Sequence, residues 1–258
     1  MRNVLAPVYR RTLAKAVQSN VLVAFDYDGT LAPIVADPDA ARVRPETTER
    51  LAELARVVPC AVISDRARAD VERCLEGTRV AHVVGNHGID LGLEPGAAEL
   101  LARHVHTWQK TLEQELAGLE GVRIQDKGLS LTVHFRHAPD RMRVIESVYR
   151  AGELLKDARL ADGRCAVDVV PRGAPHKGDA LENLAGRIGV DRVLYVGDDT
   201  TDEDVFRLSP ERFFTIRVGA SVDSAAQFFI RSQADIDPLL EALLGLRNET
   251  PSHGRAAP

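Results

Sequence analysis

The stretch VAFDYDGTLAP, residues 23–33, decides the fold. An apolar run, VLVAF at 21–25, ends on two aspartates one residue apart, Asp26 and Asp28, followed by Gly29 and Thr30. A run that is apolar at every position fits a strand buried on both faces, as in a parallel sheet. In open α/β sheets, ligands bind beyond the carboxyl ends of the strands. Two carboxylates that close repel each other unless a cation or a proton lies between them. An aspartate in a turn before glycine is common, and that accounts for one of the pair but not both.

Other short apolar runs follow: CAVI at 60–63, VAHVV at 80–84 and VLYV at 193–196. Helical spacing lies between them. After Pro45 come Leu51, Leu54, Ala55 and Val58; after Lys177 come Leu181, Leu184, Ala185 and Ile188, with Gly189 as a natural stop. Strand-helix alternation predicts a Rossmann-like, doubly wound parallel α/β sheet.

The middle of the chain has another pattern. Residues 97–119 read as one long amphipathic helix, and Met142, Ile145, Val148 and Leu155 mark a second. Leu129, Leu131, Val133 and Phe135 alternate with Ser130, Thr132, His134 and Arg136, and Cys165, Val167 and Val169 alternate around Asp168. Such alternation predicts antiparallel strands with one wet face. The expected organisation is a discontinuous core, 1–90 and 172–246, an α+β insert at 91–171, and a disordered tail at 247–258. The insert's polar face would carry Gln125, Lys127, His134, Arg136 and Asp168. It is either a solvated sheet face or a lid over a polar ligand.

A net charge of -5 over 258 residues argues against a broad nucleic-acid surface, which needs clustered Lys and Arg. No run approaches the ~20 apolar residues of a membrane span, and the start lacks the apolar core of a signal peptide. Cys60, Cys74 and Cys165 are odd in number and widely spaced, so they are expected to be buried thiols in a reducing, cytoplasmic setting.

A second acidic cluster, GDDTTDED at 197–204, follows the run at 193–196. Helix-start acids account for Asp202 and Glu203 but poorly for Asp198 and Asp199, which directly follow the strand and a glycine. Two strand-end clusters that converge would suit a hard divalent cation such as Mg²⁺. Ser64, in AVISDR, can donate a hydrogen bond, and Arg66 can pair with an anion. Lys177 opens a helix, where a cation is unfavourable unless an anion lies near.

These residues resemble the haloacid dehalogenase (HAD) superfamily of phosphohydrolases, through DYDGT, Ser64, Lys177 and GDDTTDED. Within it the chain is similar to the trehalose-6-phosphate phosphatases, through VVGNHGIDL (83–91), KGLSLTVHFR (127–136) and the PRGxxxKG pattern at 171–178. The resemblance implies a C2-type cap in the insert and a sugar phosphate substrate. It implies Asp26 as nucleophile, Asp28 as acid and base, and Ser64 and Lys177 on the phosphoryl oxygens. Mg²⁺ would be held by Asp26, the Asp28 carbonyl and Asp198, supported by Asp199 and Asp202. Asn86, His87 and Gly88 would line the substrate entrance, and Lys127, His134, Arg136 and Asp168 would read the sugar.

The chain departs from the pattern in having Asp65 where glycine is usual, and Asp90, Gln125 and Asp168 where glutamate is expected. These leave the implied chemistry in place and the sugar open. The leading expectation is hydrolysis of trehalose 6-phosphate; the alternative is the same chemistry on another disaccharide or cyclitol-containing phosphate. Phosphoryl transfer within a sugar is a further class. A phosphorylated receiver is another, with Asp28 against it.

Overall fold

The structure is a computed structural model that describes residues 1–18, 20–35, 40–91, 93, 95–163 and 165–249. Its elements in chain order are β1 (Arg2–Asn3), α1 (Arg10–Gln18), β2 (Val21–Phe25), α2 (Pro45–Leu54), β3 (Cys60–Ile63), α3 (Arg68–Cys74), β4 (His82–Val84), α4 (Pro95–Glu115), β5 (Arg123–Asp126), β6 (Leu131–His134), α5 (Arg141–Gly152), β7 (Ala158–Gly163), β8 (Ala166–Pro171), α6 (Lys177–Ile188), β9 (Arg192–Gly197), α7 (Glu203–Phe206), β10 (Phe213–Val218), β11 (Phe228–Ile230) and α8 (Ile236–Asn248).

One sheet runs β1-β11-β10-β9-β2-β3-β4 among the described residues, with every pairing parallel. Successive residues of β2 point to opposite faces. Val21, Val23 and Phe25 pack with Leu13 and Val17 of α1, Leu51 and Leu54 of α2, and Leu239, Leu240 and Leu243 of α8. Leu22 and Ala24 pack with Leu181 and Leu184 of α6 and Phe206 of α7. Both faces are covered, which is why VLVAF is apolar at every position.

From β2 the chain builds outward through β3 and β4, then returns to β9 on the other side of β2. The carboxyl ends of β2 and β9 therefore meet where the strand order reverses, the usual place for a ligand in such a sheet.

A second, antiparallel sheet, β5-β6-β8-β7, is formed by the middle of the chain. One face carries Leu131, Val133, Val167 and Val169 against Val105, Trp108 and Leu112 of α4 and Val144 and Val148 of α5. The other face is less wet than the alternation predicts: Thr132 and Asp168 are buried against the parallel sheet's end of the molecule. The fold class read from the sequence is the one observed.

Local readings shift in places. α4 stops at Glu115 rather than 119, and Gly118 turns with φ +79°. β7 is not among the strands expected from the sequence, because ARLADG offers one strong apolar residue. Cys60 is buried, whereas Cys74 and Cys165 are half-buried. α8 continues through Arg247 and Asn248, where the Arg247 guanidinium donates to the carbonyls of Val17 (2.9 Å) and Val57 (3.3 Å). Residues 250–258 of the expected tail lie outside the described residues. Among the described residues, no helix is long and apolar enough to cross a membrane.

Trp108 anchors the insert: it is buried, and its indole N–H donates to the Lys156 carbonyl at 2.9 Å. Trp108→Ala is expected to lower stability by about 3–5 kcal/mol in urea denaturation. A loss below about 1 kcal/mol would mean this packing is not what holds α4 to the sheet.

Candidate active site

Asp26 directly follows β2, and its backbone N–H donates to the Val196 carbonyl of β9 at 2.8 Å. Its side chain is buried, and its Oδ1 accepts from Lys177 Nζ at 2.9 Å. Lys177 is the first residue of α6. His176 caps that helix, accepting from Asp179 N–H while Asp179 accepts from His176 N–H, a reciprocal capping box. The cap aims the Lys177 side chain across the sheet end. Its Nζ also donates to Asp202 Oδ1 at 3.0 Å and lies 3.3 Å from Asp65 Oδ1.

The loop after β9 is built on Asp202. Its Oδ2 accepts from the N–H groups of Asp198 (2.8 Å) and Asp199 (3.0 Å), while Oδ1 accepts from Lys177 and from Tyr195 Oη (2.7 Å). All its acceptor capacity is engaged. Arg217 of β10 supports the loop from outside, donating to the Asp199 carbonyl at 3.3 Å and to Glu203 Oε1 at 3.4 Å. Asp198 Oδ1 accepts from Thr30 Oγ1 at 3.3 Å. Gly29 has φ +82°, and a Cβ there would lie 2.2 Å from an Asp198 carboxylate oxygen, so residue 29 must be glycine on both counts.

Carboxylate oxygens of Asp26, Asp198 and Asp202 lie within 4.8 Å of one another. Burial, then Asp202 and Asp199, push the Asp198 carboxyl up to about 7. Burial raises Asp26 well above its ordinary value, with Asp202, Asp198 and Asp65 adding to it and Lys177 opposing. Concentrated negative charge on oxygen donors fits a hard divalent cation. Asp202 is saturated by its own partners, so Asp26 and Asp198 are the side chains that could hold one.

Asp28 is held differently. Arg66 donates to it bidentately, Nε at 2.6 Å and an Nη at 2.8 Å, with its guanidinium 5.1 Å from the Tyr27 ring centroid. Ser64 is buried, and its Oγ accepts from Arg66 N–H at 3.2 Å.

A cavity lies between these strand ends and the polar face of the insert. Asp28, Arg66 and Asp198 line it from below, and Gln125, Lys127, His134, Arg136 and Asp168 from above. His134 Nε2 is 2.8 Å from Gln125 Oε1. Burial lowers His134 to about 4, helped by Arg123 and Lys127, so the ring is neutral at neutral pH. Asp168 is engaged by Lys127 Nζ (3.2 Å) and by the Thr132 hydroxyl.

Asn86, His87 and Gly88 sit beside the cavity, at the contact between the two sheets. Asn86 donates to both oxygens of Asp90 at 3.2 Å and accepts from Ser130 Oγ of the insert at 2.8 Å. Gly88 has φ +108°, and a Cβ there would come within 2.6 Å of the Ala180 Cβ of α6. Asp90 thus anchors this turn. A second acid-histidine group, Asp65, His87 and Asp168, also has metal-ligand spacing. Lys177 and Lys127 already lie on its carboxylates. Its charge is balanced by side chains.

Tyr195 and Arg217 lie outside the motifs, whereas Thr30, Thr132 and Thr201 fall within DYDGT, KGLSLTVHFR and GDDTTDED. Only a hydroxyl in the otherwise apolar VLYV hinted at Tyr195.

A parallel sheet whose reversal point gathers carboxylates and a lysine, faced by an antiparallel sheet, defines the HAD type of α/β phosphatase fold. A HAD subclass IIB sugar phosphatase has this fold, with TM-score 0.58 over 87% of this chain and 99% of that one at 13% identity. The trehalose-phosphatase family model matches residues 24–232, and the chain belongs to that family. A probable trehalose-phosphate phosphatase of Oryza sativa subsp. japonica is 30% identical over 220 residues, 79% of this chain and 59% of the relative. The chain thus spans about three fifths of that relative's length. The C-terminal domain of Candida albicans trehalose-6-phosphate phosphatase matches with TM-score 0.73 at 24% identity, over 92% of this chain and 96% of that one.

Two expectations follow. Asp202→Ala leaves the buried Lys177 ammonium with fewer partners and should cost about 3–5 kcal/mol in chemical denaturation. A cost near zero would show that Asp202 does not hold the loop. The second concerns pH. Burial pushes His87 down, but Asp65 and Asp168 outweigh it and raise the ring from 6.5 to about 9. The folded protein therefore binds this proton more tightly than the unfolded chain, so the His87 contribution is complete below about pH 6.5 and lost as pH rises through 9. The stability difference between wild type and His87→Asn should shrink over that window. A difference that stays constant from pH 6 to pH 10 would exclude a charged His87.

Proposed function

We propose that the protein is a Mg²⁺-dependent phosphatase that hydrolyses trehalose 6-phosphate to trehalose and phosphate through an aspartyl-phosphate on Asp26. The observation that carries this reading is the meeting of Asp26, Asp198 and Lys177 at the β2/β9 reversal point. The names of the relatives support the substrate. In this reading residues 91–171 form a cap over a core of 1–90 and 172–246.

Asp26 attacks phosphorus as the bond to the sugar oxygen breaks. Asp28 gives its proton to the leaving oxygen, then takes one from the water that hydrolyses the aspartyl-phosphate. That role requires Asp28 to leave its bidentate pairing with Arg66, whose guanidinium would then turn toward the arriving phosphate. Lys177 stabilises the equatorial oxygens, and Ser64 is positioned to donate to one of them. Asp26, the Asp28 carbonyl and Asp198 would hold Mg²⁺, with Asp199 beside them, and the ion when bound would offset the charge that raises Asp26. Gln125, Lys127, His134, Arg136 and Asp168 face the sugar end of the cavity. Closure of the cap would exclude water there.

The test is phosphate release, with Mg²⁺ and with EDTA, from trehalose 6-phosphate, glucose 6-phosphate, sucrose 6-phosphate and a cyclitol-containing disaccharide phosphate. Rapid release from trehalose 6-phosphate is expected, lost with EDTA and reduced by at least about 10³-fold in Asp26→Asn. Rapid release from another member alone would move the substrate to the insert's departures at Gln125 and Asp168. No release from any would overturn the phosphatase reading.

A further inference from the structure

Asp65 sits where several charged groups of the site converge. Its Oδ1 is 3.3 Å from Lys177 Nζ and 2.9 Å from His87 Nδ1, and its Oδ2 accepts from Thr201 Oγ1 at 3.3 Å. The other ring nitrogen of His87, Nε2, is 3.5 Å from Asp168 Oδ2 on the insert sheet. The His87 side chain is only 8% exposed.

Lys177 already serves Asp26 and Asp202. With Asp65 added, three carboxylates share one ammonium, and the site as a whole would repel a phosphoryl group. An additional cation is needed on Asp65, and His87 is the group beside it. The backbone holds the ring there: His87 has φ +60°, and its N–H donates to the Ser64 carbonyl at 3.2 Å. Asp168, on the far side of the ring, is also engaged by Lys127 and Thr132 and lies farther from the imidazole than Asp65, 3.5 Å against 2.9 Å. Burial opposes a charged ring, yet the two carboxylates raise it to about 9. Asp65 itself is held well below its ordinary value, against burial, by His87 and Lys177.

We propose that Asp65 and His87 form an obligate charge pair, in which His87 is a positioning residue. It neutralises the Asp65 carboxylate and holds it to one side, so that Lys177 keeps its charge for the phosphoryl group. The pair rests on the phosphatase reading only in that the anion beside Lys177 is phosphate. It predicts that neither residue can be neutralised with the same result: removing the imidazole exposes a carboxylate, whereas removing the carboxylate makes the imidazole dispensable.

Binding of inorganic phosphate with Mg²⁺, measured by titration calorimetry, tests this in wild type, H87N, D65N and the double variant. Asparagine is the replacement at 87 because it tolerates a left-handed backbone. H87N should weaken phosphate binding by about tenfold or more, and adding D65N should return it to within about threefold of wild type. D65N alone should bind phosphate more tightly than wild type. A double variant as weak as H87N, or an H87N that binds like wild type, would overturn the pair. If H87N does not fold, D65N decides alone, and weaker binding there refutes the proposal. Wild type that binds no phosphate at millimolar concentration also refutes it. Wild type that binds phosphate but hydrolyses no sugar phosphate sinks the phosphatase reading and leaves the variant comparison to judge the pair.

Discussion

The structure depends on a buried ammonium. Lys177 is 1% exposed, and burial alone would drive it neutral. Asp202, Asp26 and Asp65 together hold it charged, above its ordinary value. Each of these carboxylates belongs to a different strand end: β2, β3 and β9. The ammonium therefore ties the start of α6 to the reversal point of the sheet. Buried ion groups of this kind are weak contributors to net stability, because desolvation offsets most of the attraction. What they supply is a single arrangement, in which each member is satisfied only if the others are in place.

That arrangement explains the loop after β9. Asp202 spans it, accepting two backbone N–H groups with one oxygen and Lys177 and Tyr195 with the other. The oxygens of Asp198 are left facing Thr30 and Asp26, where they and Asp26 resist ionisation together. Charge is thus stored at one edge of the cavity and balanced behind it. The opposite wall is a neutral pair, Gln125 and His134, with Lys127 and Asp168 beside it. A cavity charged at one end and hydrogen-bonding at the other suits an anionic group joined to a polyol.

Much of this was legible in the chain, and the legible parts share a cause. Strands buried on both faces must be apolar throughout, so 21–25, 60–63 and 193–196 stood out, and carboxylates at their ends had no packing reason to be there. Gly29 and Gly189 marked tight backbone turns. The alternation at 129–136 and 165–169 separated the insert from the core. β7 escaped because its pattern is weak, and the insert's polar face read as wet because alternation reports two faces without saying what covers the second.

What the sequence by itself determined was the class of sheet, the insertion, and the residue types gathered at the strand ends, because these follow from local periodicity and from charge placed against hydrophobicity. What only the tertiary structure decided was partnership. That Asp202 is saturated, that Arg66 grips Asp28, that Asp90 and Asn86 brace a turn, and that Asp65 meets His87 are contacts between residues 3 to 38 positions apart, brought together at the ends of different strands. A carboxylate's role depends on which donors reach it and how much water is left around it, and both are set by the packing of distant segments.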